Sequence, residues 1–388
     1  MSDKNLFVED IILPQMLFGF TLRSPVARGR LKAVEGPKLL GGYTLVRAED
    51  IPGKNQLEDF PGPILASDTL SYMGEPVALL FGPDEIKLAE YAAQYRIITE
   101  EESPVFSPYK AGDDFIYSRR EICFGDTARA FEEGKTIVKG AYRTGIQEHW
   151  YAEPSGAVAV YSWDKAPGEE RRNERILIRT ATQWPFHVQR SVKGLLASEQ
   201  VDITVEPSRI GVSLDGKIWY PTLLACHAAL GAWITKKTVK LILTRDEDFR
   251  YSPKRNGVEI HIRSALGEGG EPLGTEIEVN ADLGAQAVFT DEILDRTCLG
   301  SLGVYQYSHI KITGKAVKTN IPPQGPFAGF GLSQGFFAIE RHVSQIADIQ
   351  KQDPAEWRKN HLLGKNGNLA IGTPLREVSP LAELIDTA

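Results

Sequence analysis

An apolar run at residues 75–81 (EPVALLF), closed by Gly82-Pro83, is the feature that most constrains this chain. The run is rich in strand formers. Pro83 suits a first helical turn, because its missing N–H would be unpaired there anyway. Over residues 84–95, Ile86, Ala89 and Ala93 recur at helical spacing, and RIIT at 96–99 returns as a strand. A strand–helix–strand unit therefore occupies the first hundred residues.

The same mixture continues along the chain. Strands are predicted at 136–143, 156–163, 175–180, 201–206, 239–244, 258–263, 275–281 and 310–319. Helices are predicted at 187–197 after Pro185, at 222–235 after Pro221 and at 332–350. A last helix starts at Asp353-Pro354-Ala355-Glu356, where Asp caps, Pro fills the first turn and Glu takes the third position. The chain reads as α+β with mixed sheets. Residues 1–106 read as a small α/β domain, 107–122 as a linker with Pro108 and few periodic apolar positions, and 123–388 as a larger domain.

Composition narrows the function classes. With 42% hydrophobic and 24% charged residues, the chain has ordinary globular content, which argues against disorder. A net charge of -7 argues against nucleic acid or an anionic membrane as the main partner. Cys123, Cys226 and Cys298 lie far apart, with no metal-ligand spacing. A cysteine-ligated iron–sulfur cluster normally takes four thiolates, so none is expected on this chain. The first ten residues lack the apolar core of a secretory signal, and the apolar stretch at 222–234 contains His227 and is too short to span a bilayer. A cytoplasmic location is the expectation.

The usual chemical motifs are missing: there is no P-loop, HExxH, GxSxG or CxxC. Glu148-His149 lacks the second histidine of a zinc helix, so no metal site is assigned. Gly267-Glu268-Gly269-Gly270-Glu271 lies between two predicted strands and reads as a hairpin turn. Residues 321–334 (IPPQGPFAGFGLSQ) say more. Two prolines fix an extended approach, Gly325, Gly329 and Gly331 permit close backbone contact or positive φ, and a long helix follows. Such a segment receives an anion at free N–H groups or serves only as a tight crossover, and both readings stand. Gln183, in TATQWP at 180–185, sits where a strand exits, as a ligand contact or a local hydrogen-bonding residue. Residues 147–154 (QEHWYAEP) read as a site wall or as a buried polar network at a domain junction. The scattered histidines His187, His227, His261, His309, His342 and His361 are assigned structural or surface roles.

Taken in order, these segments resemble the molybdenum-cofactor subunit of the xanthine dehydrogenase / aldehyde oxidase family. The opening, LFGFTLRSPVARGRLKAV, RAEDIPGKN and ILASDTLSYMGEPVALLF, is similar to the family's hammerhead-like α/β domain. GDTARAFEEG, GAYRTGIQEHWYAEPSGAVAV, TATQWPF, VKLILTRDEDF, IPPQGPFAGFGLSQGFFAIE and DPAEWRKNHLL follow in family order, resembling the first molybdopterin-binding domain. The resemblance implies hydroxylation of an electron-poor carbon in an aldehyde or N-heterocycle, with electrons leaving through iron–sulfur clusters to FAD on companion chains. By the same resemblance, Gln183 stands beside the metal's oxo group. Gly325, Gly329, Phe330 and Gly331 line cofactor and substrate, and Gly211, Gly216 and Lys217 belong to a glycine-rich cofactor loop.

The departures are equally specific. The family's G-G-G-F-G-G-K-E reads Gly211-Val212-Ser213-Leu214-Asp215-Gly216-Lys217-Ile218, so its acidic substrate contact is Ile218. Its R-G-F-G reads Ala328-Gly329-Phe330-Gly331, without the substrate-orienting arginine. Leu214, Ile218 and Ala328 are therefore the expected pocket residues, and Asp215 places a negative charge where an anionic cofactor would lie. No counterpart of the second molybdopterin-binding domain, which carries the family's catalytic glutamate, is present among the 388 residues, and Glu271 lies in the wrong half to replace it. The resemblance thus implies a subunit of a split molybdenum hydroxylase, inactive alone. A chain carrying the second domain would share the molybdenum–molybdopterin cofactor, and iron–sulfur and FAD subunits would complete the assembly. The alternative is a non-catalytic scaffold or assembly partner that kept the fold and lost the cofactor loops. A half-unit should also leave an exposed apolar face where its missing part docks.

Overall fold

The computed structural model describes residues 6–164, 173–198, 201–364, 367, 369–374, 376 and 380–388. The first five residues and part of the segment 365–379 lie outside the described residues. The α+β reading holds: helices pack on sheets of seven, five and three strands.

The seven-stranded sheet runs in the order β11 (Val201–Pro207), β10 (Asn173–Thr180), β9 (Gly156–Asp164), β12 (Val239–Ile242), β1 (Leu17–Arg23), β5 (Pro76–Gly82), β3 (Thr44–Arg47). The apolar run at 75–81 supplies β5, buried along its whole length between β1 and β3. Helix α1 (Glu85–Gln94) follows it, and the Asp84 side chain caps its N-terminus by accepting from Lys87 N. The first hundred residues are not confined to one sheet: β1, β5 and β3 join the large sheet, where β1 pairs in parallel with β12 through Leu17↔Val239. Helices α3 (Pro185–Leu196) and α4 (Tyr220–Thr235) pack on this sheet. Residues of α4 from Tyr220 to Ala232 are buried on all sides, which explains its uniformly apolar sequence.

The five-stranded sheet runs β7 (Ile116–Phe124), β15 (Ile310–Val317), β14 (Pro272–Asp282), β13 (Val258–Leu266), β8 (Thr136–Thr144). Along β13, Val258, Ile260 and Ile262 are buried, whereas Glu259, His261 and Arg263 face outward. Helices α6 (Thr290–Gly300) and α7 (Leu332–Ile349) contribute Leu294, Ala338, Ile339 and Val343 to the core beneath. The hairpin turn appears as expected, with Gly267 N donating to Glu271 O at 2.9 Å. Residues 116–122, expected in a linker, instead form most of β7. This strand is at the sheet edge with no residue fully buried, and its polar centre, Ser118-Arg119-Arg120-Glu121, breaks the apolar alternation that would announce a strand.

The small sheet is β4 (Thr69–Leu70), β2 (Gly29–Glu35) and β6 (Arg96–Glu101). The remaining helices are α2 (Thr127–Glu133), α5 (Arg245–Tyr251), α8 (Pro354–His361) and α9 (Leu381–Thr387). Asp353 caps α8 as predicted, accepting from the amides of Ala355 and Glu356. Among the described residues, no helix is long and apolar enough to cross a membrane.

The histidines are tied into this framework. His187 bonds Thr222 Oγ1 and Glu58 O, His227 bonds Ile64 O, and His342 bonds the Tyr142 hydroxyl and Ser264 Oγ.

Candidate functional site

Three segments far apart in sequence meet at one edge of the large sheet. The first is 181–184, where β10 exits and α3 begins. The second is 211–219, which leads into α4, and the third is 325–331, which leads into α7. Two backbone hydrogen bonds fasten them together. Gln183 N donates to Lys217 O at 2.8 Å, and Ala328 N donates to Leu214 O at 3.0 Å. The residues singled out from sequence are thus brought to one place.

They do not all face the same way. The Gln183, Leu214 and Ala328 side chains form an exposed rim, joined by Gly211, while Asp215, Ile218, Gly329 and Phe330 are half-buried. Gly216, Lys217, Gly325 and Gly331 are buried beneath. The Lys217 side chain is 2% exposed and turns inward, away from the rim. There its ammonium pairs with Glu153 (4% exposed) and lies 4.9 Å from the Tyr151 ring centroid. Glu153 Oε2 also accepts from Gly211 N at 3.3 Å, so this buried pair holds the start of the loop. Gly216 owes its identity to the layer below: a Cβ there would fall 1.6 Å from the Tyr151 hydroxyl and 2.6 Å from His149 Nε2.

Of its two sequence readings, site wall or buried polar network, the segment 147–154 takes the second. The His149 ring stacks on Phe327 at 4.4 Å and on Tyr151 at 5.1 Å. Its Nε2 donates to Pro326 O at 3.1 Å, which fixes the tautomer because a carbonyl only accepts. Burial pushes the His149 pKa down to about 4, so the ring is neutral at pH 7. Glu148 pairs with Lys254 at 2.7 Å.

Positive φ recurs in both loops, in part at residues other than glycine. Gly329, Phe330 and Gly331 have φ of +96°, +45° and +99°, a left-handed turn that ends at the start of α7. Leu214 and Asp215 have φ of +44° and +66° without being glycine. Each is disfavoured by about 1–2 kcal/mol, less for Asp than for Leu. Asp215 gains a hydrogen bond in return: its Oδ1 accepts from Gln183 Nε2 at 3.3 Å.

Two arginines at the site escape sequence reading. Arg296 on α6 places its guanidinium 5.3 Å from the centre of the Phe330 ring. Its spacing of four from Glu292, with which it pairs at 2.6 Å, makes it look like an ordinary surface pair. Arg255 lies 4.0 Å over the Phe327 ring and donates to Gln147 Oε1 and Ala328 O. Behind Phe330, the Phe289 ring stands at 6.0 Å, with Trp184 and Phe60 beyond it.

Residues 109–362 match the family described as molybdopterin cofactor-binding domain. The nicotinate dehydrogenase large molybdopterin subunit of Eubacterium barkeri is 27% identical, over 98% of this chain and 91% of that protein. A probable xanthine dehydrogenase subunit from Bacillus subtilis is also 27% identical, over 92% of this chain but 48% of its own length. Quinoline 2-oxidoreductase from Pseudomonas putida 86 superposes with a TM-score of 0.84 at 23% identity, covering 99% of this chain and 51% of that one. The aldehyde oxidoreductase of Desulfovibrio gigas gives 0.83 at 22% identity, covering 97% and 43%. The chain therefore spans nearly all of one relative and about half of the others named here. With a family match over well more than half its length, this chain belongs to the molybdopterin cofactor-binding domain family, homologous to the large subunits of molybdenum hydroxylases.

Proposed function

We propose that this chain forms one wall of a molybdenum-cofactor site, that a second chain supplies the other wall, and that the assembly hydroxylates an N-heterocycle or an aldehyde. The observation that carries the proposal is the exposed rim: Gln183, Leu214 and Ala328, one from each segment, face outward together, as half of a site would. The near end-to-end match to a protein named as a molybdopterin subunit supports the division into chains.

The residues present fit the cofactor on two of the three loops. Gln183 is exposed and its amide has one N–H directed to Asp215, which leaves the second for an oxygen ligand of the metal. The Gly329–Phe330–Gly331 turn leaves Gly329 half-buried at the site, while Gly331 is buried and its missing Cβ makes room for Thr297 and Ile293 beneath. The 211–218 loop departs, because Val212 and Asp215 fill space that glycines would leave open. When bound, the cofactor would supply an activated oxygen and an electron sink. The protein's part is positional. Gln183 orients by hydrogen bonding, the Phe330 ring offers an apolar face, and Leu214, Ile218 and Ala328 favour a substrate with few polar groups. Iron–sulfur and FAD subunits would carry electrons away. The names of the relatives, which cover nicotinate, quinoline and aldehydes, support these substrate classes.

A second reading, a non-catalytic scaffold, draws on Asp215, whose carboxylate already occupies part of the Gln183 amide. The Gln183→Ala variant separates the two. In the two-chain complex, oxidation of quinoline or an aromatic aldehyde should fall about 10- to 100-fold, while molybdenum content and assembly stay unchanged. Unchanged turnover would remove Gln183 from the site.

A further inference from the structure

The segment that supports the cofactor loops also presents a feature the folded chain does not use. Between His149 and Tyr151, both buried, Trp150 projects outward and is 74% exposed. Its φ is +59°, a backbone state that a bulky aromatic residue rarely adopts. The conformation is enforced from both sides. Glu148 Oε1 accepts from the amides of His149 at 2.9 Å and Trp150 at 3.4 Å. Arg245 donates to Tyr151 O at 2.7 Å and to Ala152 O at 2.5 Å. The exposed ring meets Phe249 edge-on at 5.1 Å, and Phe249 is itself exposed. Ile146 in the same loop is exposed as well, as are Val212 and Leu214 on the loop that packs over His149 and Tyr151.

We propose that Trp150 is the anchor on which the chain carrying the second half of the cofactor site docks. The inference rests on the split-site reading and adds the contact that holds the halves together. A tryptophan whose backbone is already fixed loses little further freedom on binding, which is the economy of a preorganised hot spot. Backbone strain held by surrounding bonds is found where function requires it. The occupant follows from position and length. Gln147, three residues before Trp150, accepts from Arg255, which also donates to Ala328 O on the rim, and the solved chains of this fold carry about as much chain again, since this one covers 43–52% of them.

The test uses full chains and measures Kd between this chain and the chain encoding the second half. Trp150→Ala should raise Kd by about 30-fold or more. Trp150→Gly should weaken binding as much and also raise the urea midpoint of this chain, since glycine accepts the positive φ. Opposite signs in the two readouts exclude a general packing defect, which would lower both. Tight binding by wild type, with both variants within threefold of it, would overturn the proposal. So would a wild-type homodimer that Trp150→Ala dissociates, because that assigns the ring to a second copy. If wild type binds no second-half chain at all, the split-site reading fails together with this one.

Discussion

Replacing Lys217 with methionine is expected to destabilise the fold by about 3–5 kcal/mol. The reason is not the loss of one attraction. Glu153 would remain, 4% exposed, as a carboxylate without its counter-charge. The second change, Glu153→Leu, should therefore recover most of the loss. What stays unrecovered is the hydrogen bond from Gly211 N, worth about 1 kcal/mol at most because Gly211 is exposed and water can replace it. Urea unfolding of the single and double variants decides this. A Lys217→Met variant within about 1 kcal/mol of wild type would show that the pair is not sealed from water as described. The pair also ties the start of the 211–218 loop to the layer below, so the single variant should loosen that loop.

Acidification should act more strongly still. Burial lowers the pKa values of His149, His227 and His342 to about 4. An unfolded histidine titrates near 6.5, so between pH 6.5 and 4 the unfolded chain binds more protons than the folded one. Stability then falls as pH falls, by about 3 kcal/mol per histidine at roughly 1.4 kcal/mol per unit. Glu75 works in the opposite direction. Burial raises its pKa to about 7, so its ionised form strains the fold at neutral pH and protonation relieves that strain. Burial also raises the Asp248 and Asp282 pKa values, which adds to the Glu75 side, and lowers that of His187, which adds to the histidine side, so the three strongly shifted histidines set the sign and leave a net loss of several kcal/mol, a large share of a typical stability. For a chain of 388 residues this lowers Tm by about 5–10 °C between pH 7 and 4. A Tm that is flat or rises on acidification would contradict this assignment of buried neutral histidines.

Much of the architecture is legible in the sequence because the signals are local. The run at β5, the glycine turn after β13 and the Asp353 cap each follow from the few residues that make them. The pairing of Leu17 with Val239 is not local, and nothing near Leu17 announces it. For the same reason the sequence does not announce that β1, β5 and β3 share a sheet with strands beyond residue 150.

The site divides along a similar line. Chain order and glycine spacing single out the segments of Gln183, Gly216 and Gly329, which the fold brings to one place. Side-chain direction does not follow from order. Lys217 turns inward because Glu153 waits there, and Glu153 lies in a segment read for its aromatic and polar density. Arg296 is hidden behind its pairing with Glu292.

Molybdenum content of the purified two-chain complex tests the central claim most directly. With cofactor biosynthesis supplied, the split-site account predicts about one molybdenum per complex, lost when the second chain is omitted. A stable complex containing no molybdenum under those conditions would contradict it and leave the scaffold reading in its place.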